Sequence, residues 1–577
     1  MAAAEQRKSY AVVKDFKGVN TKNNRTVIGD GEFGWLENVQ PVGFGNLRTI
    51  EGASQLDNVT FANNVASLHS VNINNTEYVL AFQENGGAQY VVLSSGTFGN
   101  IASSGTFSNT GVMVTQWKNE RALIIDPNNG YKSWDGTNLV KIGAVNSVIL
   151  GNPGSGYSSA PTVTISAPSG VGGVTAEAEA ILVGSAISEI VITEAGIGYS
   201  AIPTITFSGG GGSGASATLS VLDQDGIDIA TFAGRTWIAE GRTVYYTGPD
   251  TYNNFAAEAA GFLTITDSTL RTDITRILAA NNFLYVFGED SINVFSDVRV
   301  NANTGITEFT NTNVSASVGS KLKRSIFPYF RSILFLNKYG VYALVGATTT
   351  KVSDPLDGIF PEINFNEPVS GGQCLINNIL CAVYNFKYND NGTERWIQAA
   401  FFERKWFFTN QLTDCYLVVP AVENGLLQLL GTTGTDLHQF YIDATVQTQG
   451  IVETALLPMG DPIRDKQALK IGIEATLGSQ AGTLTAYVDS ESNQSPAIDF
   501  SSTVQWTNYL GNIISWSNSS NIVIGWSSPG TAGQSGYFLY KSDAQMYGKY
   551  LGITIETMST PFTINGFQFE HELRARF

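Results

Sequence analysis

Apolar and polar residues alternate with a period of two along most of the chain. TEYVLAF (76–82) passes through a glycine turn into AQYVVLSS (88–95), and RALIIDP (121–127) passes through NNGYKSWDGTN into LVKIG (139–143). IDIATFAGRTWIAEGRTVYYTG (227–248) holds three such runs, and ITRILAANNFLYVFGEDSINVFSD (274–297) holds three more. RSILFLNKYGVYALVG (331–346), AVYNFKYNDNGTERWIQAAFF (382–402) and CYLVVPAVENGLLQLLGT (415–432) repeat the scheme, with Asn and Gly at the turns. Alternation broken by such turns predicts antiparallel hairpins and meanders. The groups recur about every 40–50 residues, the length of one four-stranded blade, so the pattern predicts an irregular β-propeller of roughly six blades. An array of β-sandwiches is the alternative on spacing alone.

The series is interrupted once. VNSVILGNPGSGYSSAPTVTI (145–165) aligns with ISEIVITEAGIGYSAIPTITF (187–207), 42 residues later. Each copy reads as strand, glycine corner, Tyr, Pro, strand, and a small-residue strand follows each: AEAEAIL (176–182) and ASATLSVL (215–222). The blade pattern resumes afterwards, so two tandem β units form an inserted domain. From about residue 451 the pattern changes again. LKIGIEATL (469–477), GTLTAYVDS (482–490), NIVIGW (521–526), YLGITIETM (550–558) and NGFQFEHEL (565–573) alternate cleanly, as the strands of an antiparallel β-sandwich do. The fold class expected is therefore all-β. Residues 1–144 carry an N-terminal segment and the first blades, 145–222 the inserted repeat domain, 223–445 the remaining blades and 446–577 the C-terminal sandwich.

Composition agrees with this. Charged residues are only 14% of the chain, against about 25% in a typical domain, and 60 glycines favour short strands and tight turns over helices. With 33 basic and 50 acidic residues the net charge is −17, the wrong sign for a protein built to grip a polyanion. The one dense basic cluster, Lys321, Lys323 and Arg324, reads as a solvated strand edge. Cys374, Cys381 and Cys415 lie in apolar runs and read as buried free thiols. The N-terminus shows no apolar signal core, and no run is long enough for a membrane-spanning helix, so synthesis in a cytosol is expected.

Candidate chemistry is sparse. A dinucleotide loop needs strand, G-x-G-x-x-G and helix. Gly154 and Gly156 supply its first half, but Ser159 stands at the third position and Pro161 opens a strand. Tyr157 and Tyr199 read instead as plugs of β corners, with Pro161 and Pro203 starting the next strands. SWDGT (133–137) partly resembles the Asp-box turn of sialidase-type propellers, except that Asp135 and Gly136 are adjacent, and Trp134 reads as a staple. His69, His438 and His571 lie far apart with no metal spacing. DQDGID (223–228) lacks the closing Glu of a calcium loop and reads as the turn that re-enters the propeller. No catalytic, cofactor-binding or metal-binding residue is assigned, and no enzymatic activity or cofactor is expected.

One stretch carries a family pattern. Residues 15–53 contain Phe16, Gly18 to Asn20, Gly31-Glu32, Leu36 to Val39 and Gly45 to Arg48. This order resembles the N-terminal signature of the nozzle, or tail tubular, proteins of short-tailed bacteriophages. FAGRTWIAEGRTVYYTGPDTYNNF (232–255), with Gly234, Arg235, Trp237 and Phe255, resembles a blade of the same family, as do 284–297 and 333–346. The similarity extends over roughly 15–145 and 223–430. It implies a structural virion protein at the end of the tail, made in the bacterial host's cytoplasm. It further implies a homohexameric ring that retains the genome and gives viral DNA an exit channel, with a tail adaptor or portal-proximal proteins, and tail fibres, as partners. A host-surface or glycan-binding tail protein, with 145–222 as binding element, is the alternative, and a propeller glycan hydrolase a more distant one.

Overall fold

The computed structural model describes residues 8–574 apart from 44, 170–171, 223, 267, 269, 413, 444–445, 447, 478–483, 500–515, 518–522, 525–535 and 559–561. The protein is almost entirely β and its body is a β-propeller. Six four-stranded antiparallel sheets stand as separate blades. Their first strands are Val65–Ile73, Met113–Trp117, Asp228–Phe232, Arg276–Ala280, Phe327–Tyr329 and Leu417–Glu423. A further four-stranded meander, from Ser370–Ile376 to Lys405–Thr409, fills the place before the last of these, and its outer strand continues into a larger sheet. First strands of neighbouring sheets approach one another, so they line the axis. Gly52–Thr60 supplies the fourth strand of the last blade, pairing with Asp436–Asp443, and this closes the ring with chain from the N-terminal side.

The stretch 9–49, read from sequence with the first blades, belongs elsewhere. Ser9–Val13 pairs with Phe562–Leu573, and so does Asn46–Thr49 through Arg48 and Leu47. Glu32–Glu37 pairs with Gly450–Thr454, which pairs in turn with Leu551–Thr557. The C-terminal sandwich is therefore built from both ends of the chain. The reason is visible in the side chains: Phe16, Phe33, Leu36 and Leu47 are all buried beside Ile471, Ile473, Phe567 and Phe569. The Phe16 ring lies 5.6 Å from that of Phe33 and 5.3 Å from that of Phe567. The same core runs on into the 370–409 meander through Trp406, Phe407 and Phe408. Of the strands read from the tail, 469–477, 550–558 and 565–573 fall in observed strands, while most of NIVIGW lies outside the described residues.

Residues 144–222 leave the propeller between the second and third blades, and among the described residues their strands pair only with one another. The two sequence repeats are not two side-by-side units. Ala144–Ser155, which opens the first repeat, pairs with Ser213–Leu222, which ends the second. Ala186–Glu194 and Glu177–Val183 make the equivalent pair, and Thr162–Ile165 meets Ile205–Ser208 between them. Exchanging strands about this pseudo-twofold gives each long strand a hydrogen-bonded neighbour that its own repeat does not supply. The corners match the sequence reading. Tyr157 and Tyr199 are both buried, the N–H of Tyr157 donates to Ser185 O, and that of Tyr199 donates to Gly143 O, each at 3.0 Å. Gly154 and Gly196 sit at φ +65° and +67°, with a tyrosine ring edge and strand backbone where a Cβ would go.

The three cysteines are free and buried, as expected. Burial pushes the thiols of Cys381 and Cys415 up from 9.0 to about 12. Neutral thiols are thus held in the fold; that part of the stability is whole below pH 9 and is lost as the pH rises toward 12. At pH 8 the native protein should resist iodoacetamide and take up three labels only after denaturation; mass spectrometry reads the difference.

Candidate functional site

The loops that enter the first strands, together with the turns between second and third strands, gather on one face of the ring. There they frame a cavity of about 440 Å³ at the mouth of the axis. Asn64 and Thr110 come from entering loops, Glu84 from a turn, and Arg324 from the short 3-10 turn Lys323–Ser325 that precedes Phe327–Tyr329. Trp396 and Tyr416 form the aromatic wall, with ring centroids 6.4 Å apart. Tyr416 is fixed by its hydroxyl, which donates to Val65 O at 2.8 Å and accepts from Val65 N at 3.1 Å. Burial is the main reason that its phenol is pushed up to about 12. Lys387 on the rim is held by Glu394 at 2.9 Å and Glu367 at 3.2 Å.

Beneath the mouth the axis is crowded with charge. Arg276 is the first residue of one axial strand and Asp228 the first of its neighbour, and their side chains stand 3.9 Å apart. Asp228 already accepts from the backbone N–H of Ile277 (2.7 Å) and of Ile229 (3.0 Å). Burial still raises its carboxyl above 3.8, against the pull of Arg276 and of these N–H groups. Lys323 Nζ reaches Ile227 O at 3.5 Å, and Arg324 reaches Thr110 O at 3.5 Å. Burial lowers both cations, and Arg276 lowers them further; Arg324 comes down to about 10. His69 faces the same cluster and hydrogen-bonds Val112 O at 3.0 Å. Burial first, then repulsion by Arg324, drives it down to about 3, so it is neutral at any working pH.

This overturns one reading of the sequence. Lys323 and Arg324 are not a solvated strand edge: the 3-10 turn tips them toward the axis, and only Lys321 is fully exposed. The other candidates stay apart. Asp135 caps its own turn by accepting from the backbone of Thr137 and Asn138, and Trp134 packs on Tyr78 and Tyr90. His438 and His571 sit in the last blade and the sandwich. Asp223 lies outside the described residues, while Asp228 of the same motif starts an axial strand. Among the described residues no group of three or more His, Cys, Asp or Glu is placed to hold a metal ion. Sequence reading missed Arg276, Trp396 and Tyr416, which come from separate blades. One local signal existed: a charged residue at the first position of two largely apolar strands.

Fold and site define a β-propeller protein with a clasping β-sandwich and a charged axial mouth. Among the described residues no helix is long and apolar enough to cross a membrane. No protein-family model matches the chain, and no curated protein matches it. Among solved structures it is similar to a chain from the S. cerevisiae complex of Dbp5 with Nup159, Gle1, IP6 and ADP. Identity is 9%, the TM-score 0.27, and the match covers 74% of this chain and 99% of that one. A likeness of that degree carries no argument about fold or function.

Proposed function

We propose that the protein is a structural component of a short phage tail, the nozzle ring that retains the genome and opens to let DNA out. The observation that carries this reading is the 15–53 stretch. Each element of the family-like pattern has a physical task in the clasp between the chain's beginning, the sandwich and the propeller. Phe16, Leu36, Val39 and Leu47 enter the shared core. Gly31 has φ +81°, and a Cβ there would lie 1.7 Å from Asp15 O, so only glycine fits. The axis within one subunit is occupied by Arg276, Lys323 and Arg324, so a DNA channel is formed between subunits and not through the propeller. The net charge of −17 favours passage without adhesion. A ring requires a heterologous interface that closes on itself. Native mass spectrometry and electron microscopy of the full chain should show a closed ring of six, alone or with tail partners; a stable monomer in their presence overturns the reading.

A second reading, host-surface binding through 145–222, rests on the apolar side chains this domain exposes, among them Ile149, Val183 and Ile202. Ala144 and Leu222 are directly paired strand residues, so the domain enters and leaves the propeller at one point. Excising 146–220 with a short glycine link should leave the propeller folded by circular dichroism and the ring intact. Loss of phage adsorption with assembly unchanged would favour the second reading; normal adsorption would remove it.

A further inference from the structure

Below the axial mouth Arg276 and Lys323 stand by a single carboxylate, Asp228, and a third cation, Arg324, stands by Arg276 without reaching that carboxylate. Burying positive charge is costly unless it is matched by negative charge or good acceptors. The contacts that exist are poor. The acceptors of Lys323 and Arg324 lie at the outer limit of hydrogen bonding, and Arg276 is 3.9 Å from Asp228. The Nε atoms of Arg276 and Arg324 are shielded from solvent and find no acceptor among the described residues. The Arg324 guanidinium packs against Gly111, where an added Cβ would lie 2.7 Å from it. An under-neutralised guanidinium at the floor of a cavity is an anion receptor.

The walls define what the anion is attached to. A cavity of about 440 Å³ is far larger than a bare oxyanion needs and is in the range used for small organic ligands. Trp396, only 8% exposed, and the partly buried Tyr416 contribute ring edges tilted 52° to each other, and Asn64, Glu84 and Asn109 add amide and carboxylate groups to the lining. Flat C–H faces beside hydroxyls, carried on a ring with an acid group, are the surface of an acidic pyranose. Glu84 and Asn109 are exposed, as groups that accept and donate to hydroxyls must be.

We propose that the axial mouth binds an acidic sugar residue, with its carboxylate on Arg324 and its ring against Trp396 and Tyr416. The assignment does not depend on the nozzle reading. Calorimetric titration of the full-length protein with glucuronate, glucose and inorganic phosphate tests it. Glucuronate should bind saturably and at least about tenfold tighter than either control, since glucose lacks the charge and phosphate lacks the ring. Arg324→Met should cost about tenfold or more, and Arg324→Lys, which keeps the charge but not the fork, should recover part of it. If Arg324→Met does not fold, Asn109→Ala and Glu84→Gln, both on exposed side chains, should each weaken glucuronate several-fold. Absence of saturable glucuronate binding, or affinity unchanged across these variants, overturns the proposal. So does phosphate binding as tightly as glucuronate, which would make the site one for an adventitious ion only.

Discussion

Removing residues 1–49 unfolds the C-terminal sandwich, although none of the removed residues lies in the C-terminal region. The deletion takes Phe16, Val19, Phe33, Leu36, Val39 and Leu47 out of a continuous core, and it strips the neighbours of Phe562–Leu573 along one edge. It also removes Glu32–Glu37, the strand that joins Gly450–Thr454 to the outer strand of the 370–409 meander. Hydrogen exchange should show protection lost over 466–477, 551–557 and 562–573 and kept in the blades that do not share this core. Retained protection in 466–477 would mean that the sandwich stands alone. A single substitution reports the same dependence. Phe16→Ala leaves a cavity between Phe33 and Phe567 and should cost about 3–5 kcal/mol in urea unfolding.

Arg395→Met has the second large effect. Arg395 reaches both carboxylate oxygens of Glu37, at 2.9 and 3.0 Å, across the seam between meander and sandwich. The Glu37 side chain is only 5% exposed, and it also accepts from the indole N–H of Trp35 at 2.8 Å. Removing the guanidinium strands a buried carboxylate, which should cost about 3–5 kcal/mol. The double variant Glu37→Met, Arg395→Met should recover most of that, because the cost lies in the uncompensated charge and not in losing the pair. Chemical denaturation of the two variants checks both statements. A double variant no better than the single would show that Arg395 acts through its packing on Trp35 instead.

What was legible in the sequence was local. Each hairpin announced itself by alternation and an Asn or Gly turn; Asn281, Asn282, Asn377 and Asn378 indeed take positive φ at such turns. The propeller followed from the spacing of those hairpins. Partners far apart in the chain were not legible. Nothing local in EFGWLE (32–37) says whether it pairs with a blade or with 450–454, and only the burial of Phe33 and Leu36 beside Phe567 decides between them. The GSGY repeat was visible, but alternation cannot say whether a strand pairs within its own repeat or with the other copy. The axial cluster was hidden for a further reason. Lys323 and Arg324 look like surface residues in a short basic run, and a 3-10 turn of three residues sends them inward. That turn carries no periodic signal to read.

The clasp of the two ends also sets the order of events at the ribosome. At about 5–20 residues per second, the strands of 9–49 leave the exit tunnel on the order of half a minute to two minutes before Phe562–Leu573 exists to receive them. Over that interval the core around Phe16, Phe33 and Leu36 lacks Phe567 and Phe569, and Gly52–Thr60 waits for Asp436–Asp443 to close the ring. Blades complete in themselves, such as the one spanning 65–102, can form as they emerge; the ring and the sandwich cannot. Final closure is therefore the last step and needs the far end of the chain. A polypeptide released early keeps its opening strands unpaired and open to proteases, so that only chains read through to the last sandwich strand escape degradation.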